Sequence, residues 1–176
     1  MVDSFGTKIQ KQGYIYFYSG AKYALERYLS TFYPARVIYR GIMFPSIEHA
    51  FQAAKYLYSD KPAVFESIAN VKSSLDAKRA GGKGGFKKHG ATLDVAAWNK
   101  HSTDVMRDLV KSRTKTDALY RTILKKARKE NIKLLHYEKA FGKRGAEPFW
   151  GGYFKKDTKE FFGKNTLGSL MMTVPL

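Results

Sequence analysis

The sequence predicts an α+β fold that is predominantly helical, with a few short strands near the N-terminus and one before the last helix. Three observations carry this. Two runs rich in aromatic and β-branched residues, "GYIYFYSG" (13–20) and "ARVIYRGIMF" (35–44), are bounded or split by glycine, as strands and their turns are. Longer stretches elsewhere repeat apolar residues at helical spacing. Across the 176 residues there is no internal repeat, linker or second domain. One domain spanning 1–176 is therefore expected, large enough to bury about 70% of its unfolded surface.

Residues 13–20 form the first expected strand, and 35–44 two short strands about a turn at Arg40-Gly41. Ser46 then caps a helix running to about Ser59, where "SDKP" stops it. In that helix Ile47, Phe51, Ala54 and Tyr58 make an apolar stripe, and Glu48, Gln52 and Lys55 share the adjoining face at i, i+4 and i+7. This polar row is either a pocket wall or a solvated surface pattern, and spacing alone leaves both open. Lys61 to Val71 and "SSLDAKRAGG" read as short helices, the second ending on Gly81 and Gly82. "GGKGGFKKHG" (81–90) is expected to be a loop. Its amides, with Lys83, Lys87 and Lys88, either cradle phosphate or simply cover surface. It lacks the spacing of a nucleotide P-loop.

Leu93 to about Ser112 suits one long helix, with Val95, Trp98, Val105, Met106 and Leu109 inward. Thr116 to about Asn131 suits another, with Ala118, Leu119, Ile123 and Leu124 inward. Arg121, Lys125, Arg128 and Lys129 lie outside that stripe, as a track for a phosphate backbone or as a solvated face. "IKLLHYEKA" (132–140) alternates like a strand, glycine turns surround "EPFWGGYF" (147–154), and "GKNTLGSLMMTV" (163–174) is a last helix entered through Asn165.

Composition narrows the function. Lys and Arg number 32 against 15 Asp and Glu, a formal +17. That exceeds what solubility requires and points to nucleic acid, a nucleotide or a phosphorylated metabolite. There is no cysteine, hence no disulfide and no thiolate nucleophile or ligand. No apolar run reaches signal-peptide or membrane-spanning length, so a cytoplasmic protein without a membrane partner is expected.

Among chemistries, metal binding is poorly supported. His49, His89, His101 and His136 include no i,i+4 pair, and the adjacent Glu48 and His49 diverge on a helix. There is no G-x-S-x-G elbow and no G-x-G-x-x-G fingerprint. A carboxylate site remains, from Glu48, Glu138 or Glu147, the acids set among aromatics and glycines. Hydrolysis at an anomeric carbon needs little more than a carboxylate and donors for the leaving group. Trp98 or Trp150 could stack on a planar base.

Five blocks then occur in order: "YLSTFYP" (28–34), "FPSIEHAFQAAK" (44–55), Trp98, "FWGG" (149–152) and "GKNTLGSLMM" (163–172). Together they resemble the NADAR superfamily, the YbiA-like N-glycosidases, whose pattern reads LSNFYP, EHxFQxxK, W, D-x-x-WG-x-G and G-x-N-x-LG-x-LLM. The resemblance spans Phe17 to Met172 and implies one NADAR domain over 1–176. Here Thr31 stands for the family's Asn, Glu147 for its Asp, and WG-x-G is compressed to Trp150-Gly151-Gly152.

The resemblance implies an enzyme that breaks a bond between an anomeric ribose carbon and a nitrogen. Two activities go with the family: removal of ADP-ribose from modified guanine in nucleic acid, and release of ribose 5-phosphate from phosphorylated riboflavin-pathway intermediates. With no paired histidines and no nucleotide fingerprint, no metal and no cofactor are expected. Carried over, Glu48 is the main acid, and Lys55 binds phosphate or attacks the opened sugar aldehyde. Gln52 orients either partner, Trp98 stacks on the base, and Glu147 activates water or holds the leaving group. Asn165 bonds ribose or phosphate from a helix start, Ser30 and Phe32 line the pocket with Trp150 and Gly151, and His49 supports them. Two other classes stay open: a non-catalytic reader of ADP-ribose or NAD, and a basic DNA- or RNA-binding protein with no small-molecule pocket.

Overall fold

The computed structural model describes residues 6, 9, 13–138 and 146–176, and their fold is α+β and mostly helical. They fall into two units, one joining the described residues up to Ser30 with Leu119–Leu176, the other Thr31–Ala118. The first begins with β1 (Tyr14–Phe17), in which Ile15 and Phe17 are fully buried and Tyr14 and Tyr16 half-buried, the period of two of a strand. α1 (Ala24–Tyr28) follows. It is absent from the sequence-derived elements because five residues are too few to show a helical period. Arg27 ties its start by donating to the carbonyls of Ala21 and Lys22 at 2.8 and 2.7 Å.

In Thr31–Ala118, β2 (Val37–Tyr39) and β3 (Ile42–Phe44) pair antiparallel. Arg40 and Gly41 both take positive φ, 51° and 81°, as a two-residue I′ turn requires. α2 (Ile47–Ala54) starts at Ser46, whose Oγ accepts the His49 amide at 3.2 Å, and tightens into a 3-10 turn at Lys55–Tyr58. All eight residues of α2 are buried. A helix covered all round is not a surface helix, so the Glu48–Gln52 row is not a solvated pattern. α3 (Val64–Ser67) and α4 (Ser74–Ala80) follow, α4 capped by Ser73 and ending at Gly81.

Residues 83–88 form a helix, α5 (Lys83–Lys88), and not the expected loop. The glycines serve packing: a Cβ on Gly85 would overlap the carbonyl oxygen of Ala80, so its absence seats α5 directly on α4. Tertiary contact overrides a composition that favours a loop. α6 (Val95–Thr116) is capped by Asp94, whose Oδ1 accepts the Ala97 amide at 2.9 Å. Trp98, Val105, Met106 and Leu109 are buried as expected, but Val95, in the first turn, is 58% exposed. α4 and α6 both pack on α2, and α6 also covers β2.

Returning to the first unit, α7 (Ala118–Lys129) buries Tyr120, Ile123, Leu124 and Ala127, and exposes Ala118 and Leu119. Ile123 and Leu124 are thus inward as the sequence suggested, but Ala118 and Leu119 are not, and Tyr120 and Ala127 complete the stripe. Arg128 also leaves the basic face, its guanidinium donating to the carbonyls of Met171 and Val174 at 2.9 and 2.7 Å. β4 (Lys133–His136) pairs parallel with β1, Tyr14 opposite Lys133 and Phe17 opposite His136. Leu134 and Leu135 are both buried, unlike the alternation expected, and residues 139–140 of that expected strand lie outside the described residues. β5 (Gly152–Phe154) and β6 (Phe161–Gly163) make a hairpin, and α8 (Thr166–Thr173) packs on β4. No helix among the described residues is long and apolar enough to cross a membrane.

Candidate active site

α2 brings Glu48 and Gln52 together, one turn apart and 7% and 6% exposed. Gln52 Nε2 donates to Glu48 Oε1 at 2.8 Å, and Thr31 Oγ1 donates to Glu48 Oε2 at 3.1 Å. Both carboxyl oxygens are therefore aimed from outside. Burial pushes the Glu48 carboxyl above its ordinary 4.5, against the Gln52 and Thr31 hydrogen bonds and the positive charges of Lys78 and Lys55. The magnitudes explain the direction. Removing a carboxylate from water costs several kcal/mol, whereas a hydrogen bond to a charged group returns about 1.5–3 kcal/mol.

Lys55, at the start of the 3-10 turn, donates to the Gly81 carbonyl at 3.0 Å and holds its Nζ 6.0 Å from the Trp98 ring centroid. Burial lowers the Lys55 amine from 10.5, Glu48 opposing and Lys78 reinforcing the shift. Each group is thus drawn toward its neutral form. The backbone accommodates Gln52 closely: a Cβ on Gly81 would overlap Gln52 Oε1 and lie 2.7 Å from its Cβ. That oxygen is buried without a hydrogen-bond partner.

His49 stands behind this face. Its ring bridges Ser46 Oγ (2.8 Å) and the Val71 carbonyl (3.2 Å), and Ser74 Oγ links Ser46 to the Phe32 carbonyl. Burial lowers the imidazole from 6.5, while the Val71 bond and Asp76 oppose the change. Phe32 is half-buried under Lys78, whose Nζ is 5.6 Å from the ring centroid. Trp98, expected to stack on a base, is 7% exposed, with Phe51 and Tyr58 centroids 5.0 and 5.7 Å away. The indole is packed against those two rings, with the Lys55 ammonium over its face.

The remaining expected residues belong to the other unit. Ser30 is buried at the close of its N-terminal segment, and Glu147 is exposed. Residues 148–151 form a clasp for α8. The carbonyls of Pro148, Phe149, Trp150 and Gly151 accept the amides of Lys164, Thr166, Leu167 and Asn165 at 2.8–3.2 Å. Three of these are the amides at the start of α8 that an anion would otherwise take. Asn165 sits at φ 49°, ψ 38° and caps nothing with its side chain. Instead Oδ1 accepts the His136 amide at 3.1 Å and Nδ2 donates to the Leu134 carbonyl at 2.9 Å, bracing α8 on β4. Both ends of the Asn165 amide are thus used on the β4 backbone, and Trp150 and Gly151 contribute carbonyls.

Sequence reasoning passed over three participants in the Glu48 face. Thr31 was visible only as a departure from the family pattern, Lys78 only as one lysine among many, and Gly81 only as a helix end. Their partners lie 17 to 30 positions away, beyond any local spacing. Among the described residues, no three of His, Asp and Glu gather as metal ligands would.

A family model described as the NADAR domain matches residues 16–175. Among solved structures, the NMR structure of the E. coli protein YbiA is similar, with 26% identity and a TM-score of 0.64 over 92% of this chain and 82% of that one. No curated protein matches.

Proposed function

The chain belongs to the NADAR family, and we propose that it is an N-glycosidase acting on ADP-ribosylated guanine in nucleic acid. Membership supports a glycosidase-type hydrolase; the substrate is our own reading, favoured by the +17 charge. The observation that carries the chemistry is the desolvated Glu48 carboxyl, oriented by Thr31 and Gln52 and sharing its face with Lys55.

In this reading the bond between the anomeric carbon and the base nitrogen breaks with its electron pair leaving on nitrogen, which takes up a proton. Water adds its hydroxyl to the carbon and gives up the other proton. A carboxyl with a raised pKa exchanges protons nearer neutral pH than an ordinary one, which suits both transfers. As a carboxylate it also faces the cationic sugar. Lys55, with its proton more easily lost, either holds a phosphate or, as the free amine, attacks the opened sugar aldehyde. In the second case the aldehyde oxygen leaves as water to give a Schiff base, which a second water hydrolyses back to the sugar and the amine.

Turnover read by mass spectrometry tests this, with an ADP-ribosylated guanine oligonucleotide in one arm and a phosphoribosylamino-pyrimidine in the other. Release of ADP-ribose by wild type, lost in Glu48→Gln, is the expected result. Release of ribose 5-phosphate alone replaces the substrate with a metabolite. Binding of ADP-ribose without turnover in either arm makes the protein a reader. Borohydride trapping of a Lys55 adduct decides between the two lysine roles.

A further inference from the structure

α4 presents cations on two sides. Lys78 lies over Phe32, and its charge acts on Glu48 and Lys55. The next residue, Arg79, is turned about 100° around the helix and lines a separate cavity of about 670 Å³. That volume falls within the roughly 300–1,000 Å³ of ligand pockets. Ile68, Val71 and Ala80 give it an apolar floor, and Arg79, Lys88 and His89 stand around it. The close seating of α5 on α4 at Gly85 is what brings Lys88 and His89 to the same opening as Arg79.

The surrounding stretch is strongly one-signed. From Val71 to Gly90 there are six lysines and arginines against Asp76 alone. Asp76 also lines the cavity, but its carboxylate is engaged by Ser73 Oγ at 2.6 Å and by Arg79 at 3.2 Å. That pair is exposed, and worth little enough for Arg79 to exchange it for a phosphate. The cavity also shares its backbone with the Glu48 face. The Ala80 carbonyl accepts the Tyr56 hydroxyl at 2.7 Å, the neighbouring Gly81 carbonyl accepts Lys55 Nζ, and the Val71 carbonyl takes the His49 ring.

We propose that this cavity seats the phosphodiester backbone of a nucleic-acid strand whose modified nucleotide lies at the Glu48 face, with α4 as the wall between them. The proposal rests on the nucleic-acid reading above and says where the strand is held. A helix with its side chains is about 10–12 Å across, or about three steps of a stacked strand at ~3.4 Å each. Arg79, Lys88 and His89 would then hold phosphates a few nucleotides from the reacting one.

The test is anisotropy of a labelled, unmodified single-stranded oligonucleotide over a series of salt concentrations, which needs no turnover. Arg79→Ala/Lys88→Ala should flatten the slope of log K against log salt by about 1.4, at about 0.7 for each phosphate no longer neutralised. Lys125→Ala/Lys129→Ala on α7 is the comparison. Because all four side chains are exposed, melting temperature serves as the check on folding, with Lys88→Glu as a single replacement whose effect should exceed that of Lys88→Ala. An unchanged slope, or a fall no greater than that of the α7 pair, overturns the proposal. So does competition by pyrophosphate as effective as by the oligonucleotide at equal phosphate, which would make this a small-anion site. Turnover of ADP-ribosylated guanosine, too small to reach the cavity, tests the glycosidase reading by itself. Failure there with the slope change intact removes the enzyme and leaves the seat; turnover with an unchanged slope removes only the seat.

Discussion

Along α2 the polar side chains are buried and bonded to one another, whereas from Pro148 to Gly168 polar contacts are made chiefly by backbone. Glu48, Gln52, Thr31 and Lys55 pair among themselves or with one carbonyl, at a place where burial shifts two ionisable groups toward neutrality. In the second stretch four carbonyls meet four amides, and Asn165 completes the brace to β4. The glycines there make room for close backbone approach. A Cβ on Gly151 would overlap the His136 carbonyl, and one on Gly168 the Leu134 carbonyl. Both stretches carry family motifs. One holds two ionisable side chains that burial shifts toward neutrality, the other the position of a helix, and substitutions should separate them.

Glu48→Gln should show the largest effect and the most telling pairing of effects. Loss of a general acid–base group lowers kcat by about 10²–10⁴-fold. Stability should move the other way. Glu48 has a folded-state pKa raised above 4.5, so its contribution is fully present below about 4.5 and is lost as pH rises through the folded value. At pH 8 the variant should therefore melt about 2–4 °C above wild type, for about 1 kcal/mol recovered. The gain should vanish toward pH 4. The amide of Gln52 can turn over to meet the new side chain with its unpartnered Oε1. A variant equally inactive but less stable at pH 8 would make Glu48 a structural group and dissolve the contrast.

Gly81→Ala comes next. The new Cβ displaces Gln52 and removes the 2.8 Å donor from Glu48. Overpacking of this kind costs about 1–3 kcal/mol. Since that hydrogen bond is the first of the influences holding the Glu48 carboxyl down, the acid limb of the kcat/KM profile should move to higher pH. A pH profile identical to wild type would show that Gln52 does not control Glu48.

How much of this was legible beforehand depends on the range of the interaction. α2 was, because Ser46, the stripe at Ile47, Phe51 and Ala54, and the row Glu48–Gln52 are all signals within one helix. α5 was not, because its glycines suggest a loop unless Ala80 is seen beneath Gly85. The same limit hid the Thr31–Glu48 bond, and the misplaced start of the α7 stripe came from assigning Ala118 and Leu119 without knowing where the helix is covered. Asn165 is subtler. A side-chain amide that would suit ribose suits an open strand edge equally well, and only geometry distinguishes the uses.

Asn165→Ala tests that second stretch with a smaller effect. Two hydrogen bonds at about 0.5–1.5 kcal/mol each, with the added cost of Ala at φ 49°, amount to about 2 kcal/mol, or about 4–8 °C. Asn165→Gly should recover the conformational part alone. KM should stay near wild type. A raised KM with unchanged melting would return Asn165 to the ligand and make the two stretches alike.

The smallest expected effect concerns His49, where hydrogen bonding and burial oppose each other. Ser74 gives its proton to the Phe32 carbonyl, so the single Ser46 proton faces both His49 Nδ1 and Ser74 Oγ. Protonating His49 would relieve that shortage, since both ring nitrogens would then donate. Burial nevertheless prevails and the imidazole pKa is lowered from 6.5. The folded state thus binds the proton more weakly than the unfolded chain. Stability from this group is present above about 6.5 and lost as pH falls through the lowered value. Glu48 acts in the opposite sense over acidic pH, so the wild-type melting curve alone mixes the two. The difference between wild type and His49→Gln isolates the histidine, and it should shift against wild type by about 1 kcal/mol or less between pH 7.5 and 5. A difference that shifts in favour of wild type on acidification would mean that the starved Ser46 network, and not burial, governs His49, and that the polar groups behind α2 are held for their protons as closely as those in front of it.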